Sequence, residues 1–232
     1  MSRHLSLGSG VETVERSVIR LDERTLLLMP CSGEKQYGGA QHKIPNGILA
    51  KLMPDRSSAL RAARQALRQE SRVDEQSLMP AYLRYRGQLY CHGATAVGRA
   101  VAAGRHIMIV SGAYGLLLAD EPIGWYEKRF RLSDWPRGLL EDCILDYAHH
   151  EQITSVVAVM SRTTDYAKLV RRVNWERSSI AAMLISPVSS GGGSMVKVPR
   201  AQGQTIADLF ASGVVVDEWR SQDDLGLHAE PV

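Results

Sequence analysis

The sequence predicts an α/β fold in which helices cover a mixed or mostly parallel sheet. Four short apolar runs have the length of buried strands, and stretches with helical periodicity separate them. The runs are almost continuously apolar rather than alternating, which is typical of strands covered on both faces. These runs span residues 25–29, 106–111, 153–160 and 182–186. Strands that alternate with helices in this way favour a layered α/β domain.

The helical patterns and the connecting segments suggest how the chain is organised. Helices are predicted at residues 58–72, 93–103, 139–151 and 166–173. Residues 1–24 are predicted to form an N-terminal extension with an edge strand at 17–21, and residues 25–215 are predicted to form one α/β domain with a helical insertion at 46–82. The Gly- and Ser-rich stretch at 189–194 is predicted to be a flexible loop. Residues 216–232 are assigned to a C-terminal tail, and its last dozen residues, 221–232, are polar and expected to be frayed.

Composition excludes several classes of protein. The 232 residues are 44% hydrophobic and 23% charged with a net charge of +3, which is ordinary for a globular domain. No apolar run approaches the roughly 18 residues of a membrane span, and the N-terminus has no apolar signal core. A cytoplasmic protein with no membrane partner is expected. The three cysteines have no zinc-type spacing, and neither a metal nor an organic cofactor is predicted.

The loop after the first predicted strand is the first candidate for chemistry. Cys31, Ser32, Glu34 and Lys35 follow directly on the apolar run, and ligands of open α/β sheets bind beyond the carboxyl ends of strands. A neighbouring ammonium favours the reactive thiolate form of a cysteine, and a carboxylate can carry protons. A tight turn with a small buried cysteine and two solvated charges explains the same residues.

A second polar loop follows the strand predicted at 106–111. Ser111 and Gly112 begin it, and Tyr114, Glu121 and Tyr126 follow. A glycine lets the backbone approach a ligand closely, and the tyrosines can stack on a planar group. If this loop lies beside the first one, Glu121 is a candidate proton carrier for Cys31 chemistry. An ordinary strand-to-loop turn with packed aromatics is the alternative.

Three further residues are candidates for substrate binding. Arg86 precedes the helix that leads to the second strand and could clamp a phosphate or carboxylate. Arg162 and Tyr166 follow the third predicted strand, where they could point into a shared cleft. A structural ion pair explains Arg86 equally well.

Arginines recur along the helix predicted at 58–72. Steps of three and four residues place Arg61, Arg64, Arg68 and Arg72 on one stripe. Such a row can follow nucleic-acid phosphates. A solvated helix face is the ordinary alternative.

Four segments in order resemble the YaaA (DUF328) superfamily. They lie at residues 27–35, 85–90, 110–117 and 161–166. The resemblance implies an α/β fold with an inserted helical DNA-binding element, and a role in protecting DNA during peroxide stress. Cys31 stands where that branch usually has a small residue, which departs from its pattern.

The chain also resembles a second branch of the superfamily, the DpdC-like proteins of bacterial 7-deazaguanine DNA modification. This resemblance implies conversion of 7-cyano-7-deazaguanine in double-stranded DNA to the 7-amido form, with other DNA-modification proteins as further candidate partners. A thiolate attacks a nitrile readily to give a covalent thioimidate. Cys31 would be the nucleophile, Lys35 the stabilising cation, and Glu34 or Glu121 the proton carrier. A non-catalytic DNA-binding stress protein and a hydrolase of free nucleobases or nucleotides remain as alternatives.

Overall fold

The computed structural model describes residues 19–40, 47–188, 194–222 and 224–232. Within these ranges the strands are β1 (Thr25–Pro30), β2 (Asp74–Pro80), β3 (His106–Ser111), β4 (Gly115–Leu118), β5 (Pro122–Trp125), β6 (Ser155–Val159), β7 (Ala181–Pro187), β8 (Glu218–Arg220) and β9 (Gly226–Pro231). The α-helices are α1 (Pro54–Glu70), α2 (Ala81–Arg84), α3 (Gln88–Ala102), α4 (Leu139–His150), α5 (Asp165–Arg172) and α6 (Ser194–Ser212). In the described part of the chain, no helix has the length and apolar character needed to span a membrane.

Seven strands form one sheet in the order β4-β3-β1-β6-β7-β9-β8. Strands β3, β1, β6 and β7 run parallel to one another, whereas β4 and β9 pair antiparallel with this central group. The predicted fold class is therefore confirmed. Each of the four apolar runs contributes one of the four parallel strands.

The sheet separates two apolar layers, and successive residues of β1 contribute to different ones. Leu26 and Leu28 belong to the layer that contains α1, α4 and α5. Leu27 and Met29 belong to the layer that contains α3 and α6. Successive side chains of a strand point to opposite faces, and both faces are covered here. This burial explains why the runs show no alternation.

Helix α6 was not predicted, although it covers much of one face with α3. The two helices approach closely where Gly203 lies against Leu89, and a Cβ at Gly203 would lie 2.3 Å from the Leu89 carbonyl oxygen. Only glycine allows so short a distance between helix backbones. The predicted helices α1, α3, α4 and α5 are all present, and α1 and α3 begin a turn or more before the predicted residues.

The predicted insertion at 46–82 is not entirely helical. A 3-10 helix at Gly47–Lys51 and helix α1 are followed by β2, which pairs antiparallel with β5 in a separate two-stranded sheet. The insertion is therefore tied to the loop region after β4 by backbone hydrogen bonds. Residue 46 lies outside the described residues.

The ends of the chain differ from the prediction. The expectation of a frayed tail is wrong, because β9 pairs with β7 over five residue pairs and Leu227 is completely buried. The strand was missed because it has only six residues and Leu227 is its single large apolar side chain. At the other end, residues 17 and 18 and the loop residues 189–193 lie outside the described residues, and Arg20 forms a single bridge with Val214.

We expect Leu227→Ala to lower the free energy of unfolding by about 2–5 kcal/mol, because it opens a cavity beneath the sheet. Val216→Ala is the control: Val216 is 45% exposed, and its truncation should change stability by less than about 0.5 kcal/mol. Urea denaturation of both variants measures the difference. Equal stability of the two variants would mean that β9 is not part of the folded sheet.

Candidate active site

A cavity of about 760 Å³ lies at the carboxyl edge of the sheet, beyond β1 and β6. The chain leaves β1 toward β3 through α3 on one face, and it leaves β6 toward β7 through α5 on the other face. The two connections diverge, so the edge between β1 and β6 is the topological switch point where α/β sheets bind ligands. The lining residues are Cys31, Ser32, Gly33, Lys35, Glu127, Lys128, Arg129, Phe130, Arg131, Thr164, Asp165 and Tyr166.

Cys31 extends the ladder of β1 by one residue. Its backbone N–H donates to the Val110 carbonyl at 2.9 Å, which fixes the residue at the sheet edge. Its thiol is half-buried, and Sγ lies 3.1 Å from the Tyr166 hydroxyl oxygen. Tyr166, which the sequence placed with Arg162 beside a cleft, therefore lies against Cys31.

Tyr166 is held over the sulfur by its own packing. It lies in the first turn of α5, whose N-terminus is capped by Thr164, and its ring stacks on Phe130 at 4.9 Å between centroids. Burial, followed by the nearby Cys31 sulfur, raises the pKa of Tyr166 far above its usual value. The phenol therefore stays protonated and can donate its hydrogen bond to the sulfur, which stabilises a thiolate.

Lys35 brings a cation to the same place. Its Nζ donates to the Gly33 carbonyl at 3.1 Å and lies 4.3 Å from the centroid of the Tyr126 ring, a favourable cation–π geometry. Desolvation lowers the pKa of Lys35, and the negative charges of Cys31 and Glu127 partly oppose that shift. The lowered pKa makes Lys35 a stronger acid than an exposed lysine.

A layer of buried hydroxyl groups lies beneath Lys35. The Tyr85 and Tyr126 hydroxyls are 2.7 Å apart, and both hydrogen-bond with Ser111. Burial raises the pKa of both tyrosines, so the phenols remain neutral. Ser111 and Tyr126 do not line the described cavity. Their predicted role in substrate contact is corrected: Tyr126 supports Lys35 from below, and Ser111 fixes the two tyrosines.

The predicted placement of Glu121 is wrong. Its carboxylate is buried and accepts hydrogen bonds from Arg64 at 2.8 Å and from the N–H groups of Ile48 at 3.1 Å and Leu118 at 3.3 Å. It does not line the Cys31 cavity. Arg64 and Ile48 belong to the insertion, and Leu118 belongs to β4. Glu121 therefore anchors the insertion to the main sheet.

Arg64 is likewise not a DNA-binding candidate. It is 5% exposed, and besides Glu121 it donates to the carbonyls of Tyr114 at 2.7 Å and of Leu116. The helical period places it with Leu60 and Leu67 on the buried side of α1, so the predicted stripe of four arginines contains only three that face outward.

The remaining three arginines line a separate groove of about 510 Å³. Arg61 and Arg72 are exposed, whereas Arg68 pairs with Glu75 and lies 5.4 Å from the centroid of the Tyr114 ring. The groove therefore keeps basic character, with one of its charges neutralised.

Tyr114 and Gly112 of the second loop were predicted to contact a substrate, but both contact other parts of the protein. The Tyr114 hydroxyl accepts from the Gly124 N–H at 3.0 Å and is buried. A Cβ at Gly112 would lie 2.2 Å from the Lys128 carbonyl oxygen. Gly112 therefore allows a close approach of the chain to itself, not to a ligand, and this contact shapes the cavity wall that begins at Glu127.

Four other predicted residues are distributed around the site. Arg86 is exposed and donates to the Gln36 side chain at 2.9 Å, away from the cavity wall. Arg162 forms a salt bridge with Glu230 of β9 at 2.8 Å. Ser32 lines the cavity and accepts from the Gly87 N–H at 3.0 Å, which fixes the start of α3. Glu34 is exposed at the rim of a neighbouring cavity.

That neighbouring cavity, of about 440 Å³, shares Cys31 and Tyr166 with the first. Its far wall comes from α6, where the buried Gln202 donates to the Ser161 hydroxyl at 3.3 Å. The sulfur is thus accessible from two sides. Neither the α6 wall of this cavity nor Glu127 was predicted from the sequence. Glu127 could have been suspected from the polar run that follows Trp125 and Tyr126, but without α6 nothing indicated the second wall.

Comparisons with known proteins identify no family for this chain, so its resemblance to the YaaA superfamily stays an expectation. No protein-family model matches the chain, and a search of curated proteins finds no matching sequence. Among the residues that the structure describes, no three His, Cys, Asp or Glu side chains are grouped so that they could hold a metal ion.

We expect Glu121→Ala to lower the free energy of unfolding by about 3–5 kcal/mol, because it leaves the Arg64 guanidinium buried without its partner. Asp120→Ala removes an adjacent exposed carboxylate and should change stability by less than about 0.5 kcal/mol. Chemical denaturation of both variants is the measurement. An unchanged unfolding free energy for Glu121→Ala would contradict the anchoring role.

Proposed function

We propose that the chain is a hydrolase that uses Cys31 to hydrate a nitrile on a DNA base, converting 7-cyano-7-deazaguanine to 7-amido-7-deazaguanine. The proposal depends chiefly on one observation. The Cys31 sulfur faces a cavity at the switch point of the sheet, 3.1 Å from the Tyr166 hydroxyl and close to the Lys35 ammonium. These groups are the ones that nucleophilic attack on a nitrile requires.

In the first step, the Cys31 thiolate attacks the nitrile carbon. A carbon–sulfur bond forms, one π bond of the nitrile breaks, and the nitrogen takes a proton to give a neutral thioimidate. Lys35 is the proton donor in this scheme, because its lowered pKa makes it a stronger acid than an exposed lysine. Tyr166 donates a hydrogen bond to the sulfur before the attack.

In the second step, water adds to the thioimidate carbon and the carbon–sulfur bond breaks. The nitrogen gains a second hydrogen from the water, and the oxygen becomes the amide carbonyl. Cys31 leaves as the thiolate, and the other proton of the water returns to Lys35. The net reaction adds one water to the nitrile. Glu127, which lines the cavity and interacts electrostatically with Lys35, takes the proton-carrying role that the sequence suggested for Glu34 or Glu121.

The dimensions of the cavity are compatible with a base that has left its duplex. A volume of about 760 Å³ lies within the range of small-molecule sites, roughly 300–1,000 Å³. Enzymes that modify a base extrude it from the helix into such a pocket. The purine 7-position faces the major groove, so its nitrile is available once the base enters.

A non-catalytic YaaA-like DNA-binding protein of the peroxide stress response is the second candidate. It is favoured by the α1 groove, where Arg61 and Arg72 are exposed. That function needs neither the cavity nor the thiol, so substitution of Cys31 separates the two candidates.

We expect Cys31→Ser to fold, to bind DNA that contains 7-cyano-7-deazaguanine, and to convert none of it, because a hydroxyl is a far weaker nucleophile here. Cys91→Ser is the matched control, since this thiol is exposed and donates to the Arg86 carbonyl outside the cavity. Nucleoside digestion and mass spectrometry measure the amide. Full conversion by Cys31→Ser would eliminate the proposed nucleophile.

Lys35→Met should reduce conversion by a factor of about 10²–10⁴, the usual contribution of a proton-transfer group. It should also raise stability slightly at neutral pH. The folded-state pKa of Lys35 is lowered, so the unfolded chain binds its proton more tightly and the charge opposes folding. This penalty is complete below the folded pKa, and it disappears as the pH rises to the ordinary lysine value.

Urea unfolding of wild type and Lys35→Met at about pH 7 and about pH 10.5 measures this difference. The stabilisation should be larger at the lower pH. A Lys35→Met protein that is less stable than wild type at neutral pH, or one that retains full conversion, would contradict the assigned role.

A further inference from the structure

One wall of the Cys31 cavity is a five-residue segment, 127–131, that was not singled out by sequence. It carries Glu127, Lys128, Arg129, Phe130 and Arg131, and all five line the cavity. Gly112 permits this segment to lie directly against the turn after β3. The wall is therefore positioned by backbone contact, close to the residues around the sulfur.

The charges of this wall are not all equivalent. Lys128 lies 3.0 Å from both Glu70 and Asp134 and is neutralised by them. Of the described acidic residues, none forms an ion pair with Arg129 or Arg131. Both arginines are exposed, so two guanidinium groups remain available for a ligand.

The acidic residues of the cavity do not cancel these two charges. Asp165 accepts from the Leu132 N–H at 3.0 Å and from Lys168 at 2.8 Å, and these hydrogen bonds lower its pKa. Its charge is thus compensated locally. Glu127 interacts electrostatically with Lys35.

The side chains alternate along the wall. Phe130 is buried and stacks on Tyr166, whereas its two neighbours are exposed. This exposed, buried, exposed pattern is that of an extended chain, in which residues two apart lie on one side about 6.6 Å from each other. Arg131 itself has extended backbone angles, φ −131° and ψ 126°. Consecutive phosphates of one nucleic-acid strand, joined through a single sugar, have a comparable spacing. Arg129 also lies near enough to Tyr166 for its charge to oppose the rise in the pKa of that phenol.

We propose that Arg129 and Arg131 bind two consecutive phosphodiester groups of the strand whose base occupies the Cys31 cavity. The inference rests on the proposed function and specifies its substrate as a polynucleotide strand, rather than a free base or nucleoside. A guanidinium fork contacts two phosphate oxygens at once. Two such forks on one wall fix the direction of the strand past the sulfur, and the stacked Phe130 keeps the wall aligned with Tyr166.

The test uses protection of the thiol, which requires no turnover. Iodoacetamide alkylates Cys31 of the wild-type protein with or without a short single-stranded oligodeoxynucleotide of ordinary bases, and peptide mass spectrometry follows Cys31, with the exposed Cys91 as internal reference. We expect the oligonucleotide to slow alkylation of Cys31 at least about tenfold and to leave Cys91 unaffected. The Arg129→Ala/Arg131→Ala variant should lose this protection.

A matched control removes the same charge elsewhere. Arg99, in the last turn of α3, and Arg177, after α5, are exposed and do not line the cavity. Arg99→Ala/Arg177→Ala should keep the protection. Arg129→Lys/Arg131→Lys should keep part of it, because the charge remains and the fork is lost. Binding measured by anisotropy should lose about 1.4 from its log–log salt slope in the double alanine variant, the value for two phosphates of a single strand.

The outcomes separate this inference from the proposed function. Protection by the oligonucleotide that depends on the two arginines, without nitrile conversion, would support the phosphate pair and eliminate the hydrolase. Conversion of a free modified base without protection would leave the nitrile chemistry in place and overturn the phosphate pair. Unchanged protection and salt slope in the folded double alanine variant would also overturn it.

Discussion

The burial of β1 on both faces and along both edges determines the rest of the structure. Strand β1 pairs with β3 on one side and β6 on the other, and its residues from Leu26 to Met29 are completely or almost completely buried. A strand in this position must be apolar until it reaches the edge of the sheet. Pro30 and Cys31 are the first part-exposed residues after this buried run, and Cys31 is the first of them with a nucleophilic side chain.

The surroundings of Cys31 combine features that oppose folding with features that suit catalysis. Lys35 is partly desolvated, the Tyr85 and Tyr126 side chains are buried, and Tyr166 is half-buried. The aromatic face beneath the ammonium and the hydrogen bonds among the hydroxyls offset part of that desolvation. Such an arrangement holds a cation and a proton donor near the sulfur in a partly desolvated position, which strengthens their electrostatic effect.

Charged residues that look alike in sequence have opposite roles in this fold. Arg64 and Arg68 lie one helical turn apart, yet Arg64 is buried against Glu121 and Arg68 faces a groove. Glu121 and Glu127 are six residues apart, yet the first anchors the insertion and the second lines the cavity. Spacing along a helix places residues on a face, but it does not say which face the core will cover.

The sequence by itself determined the parallel centre of the sheet, four of the helices, and the place of Cys31, Lys35 and Tyr166 beyond strand ends. These features depend on local hydrophobicity and on the chain direction common to parallel strands. Only the tertiary structure decided that β9 completes the sheet, that α6 and residues 127–131 form the cavity walls, and that Glu121 is structural. Those outcomes depend on contacts between residues far apart in sequence, and polar side chains carry no local signal of whether their partners will be protein or ligand.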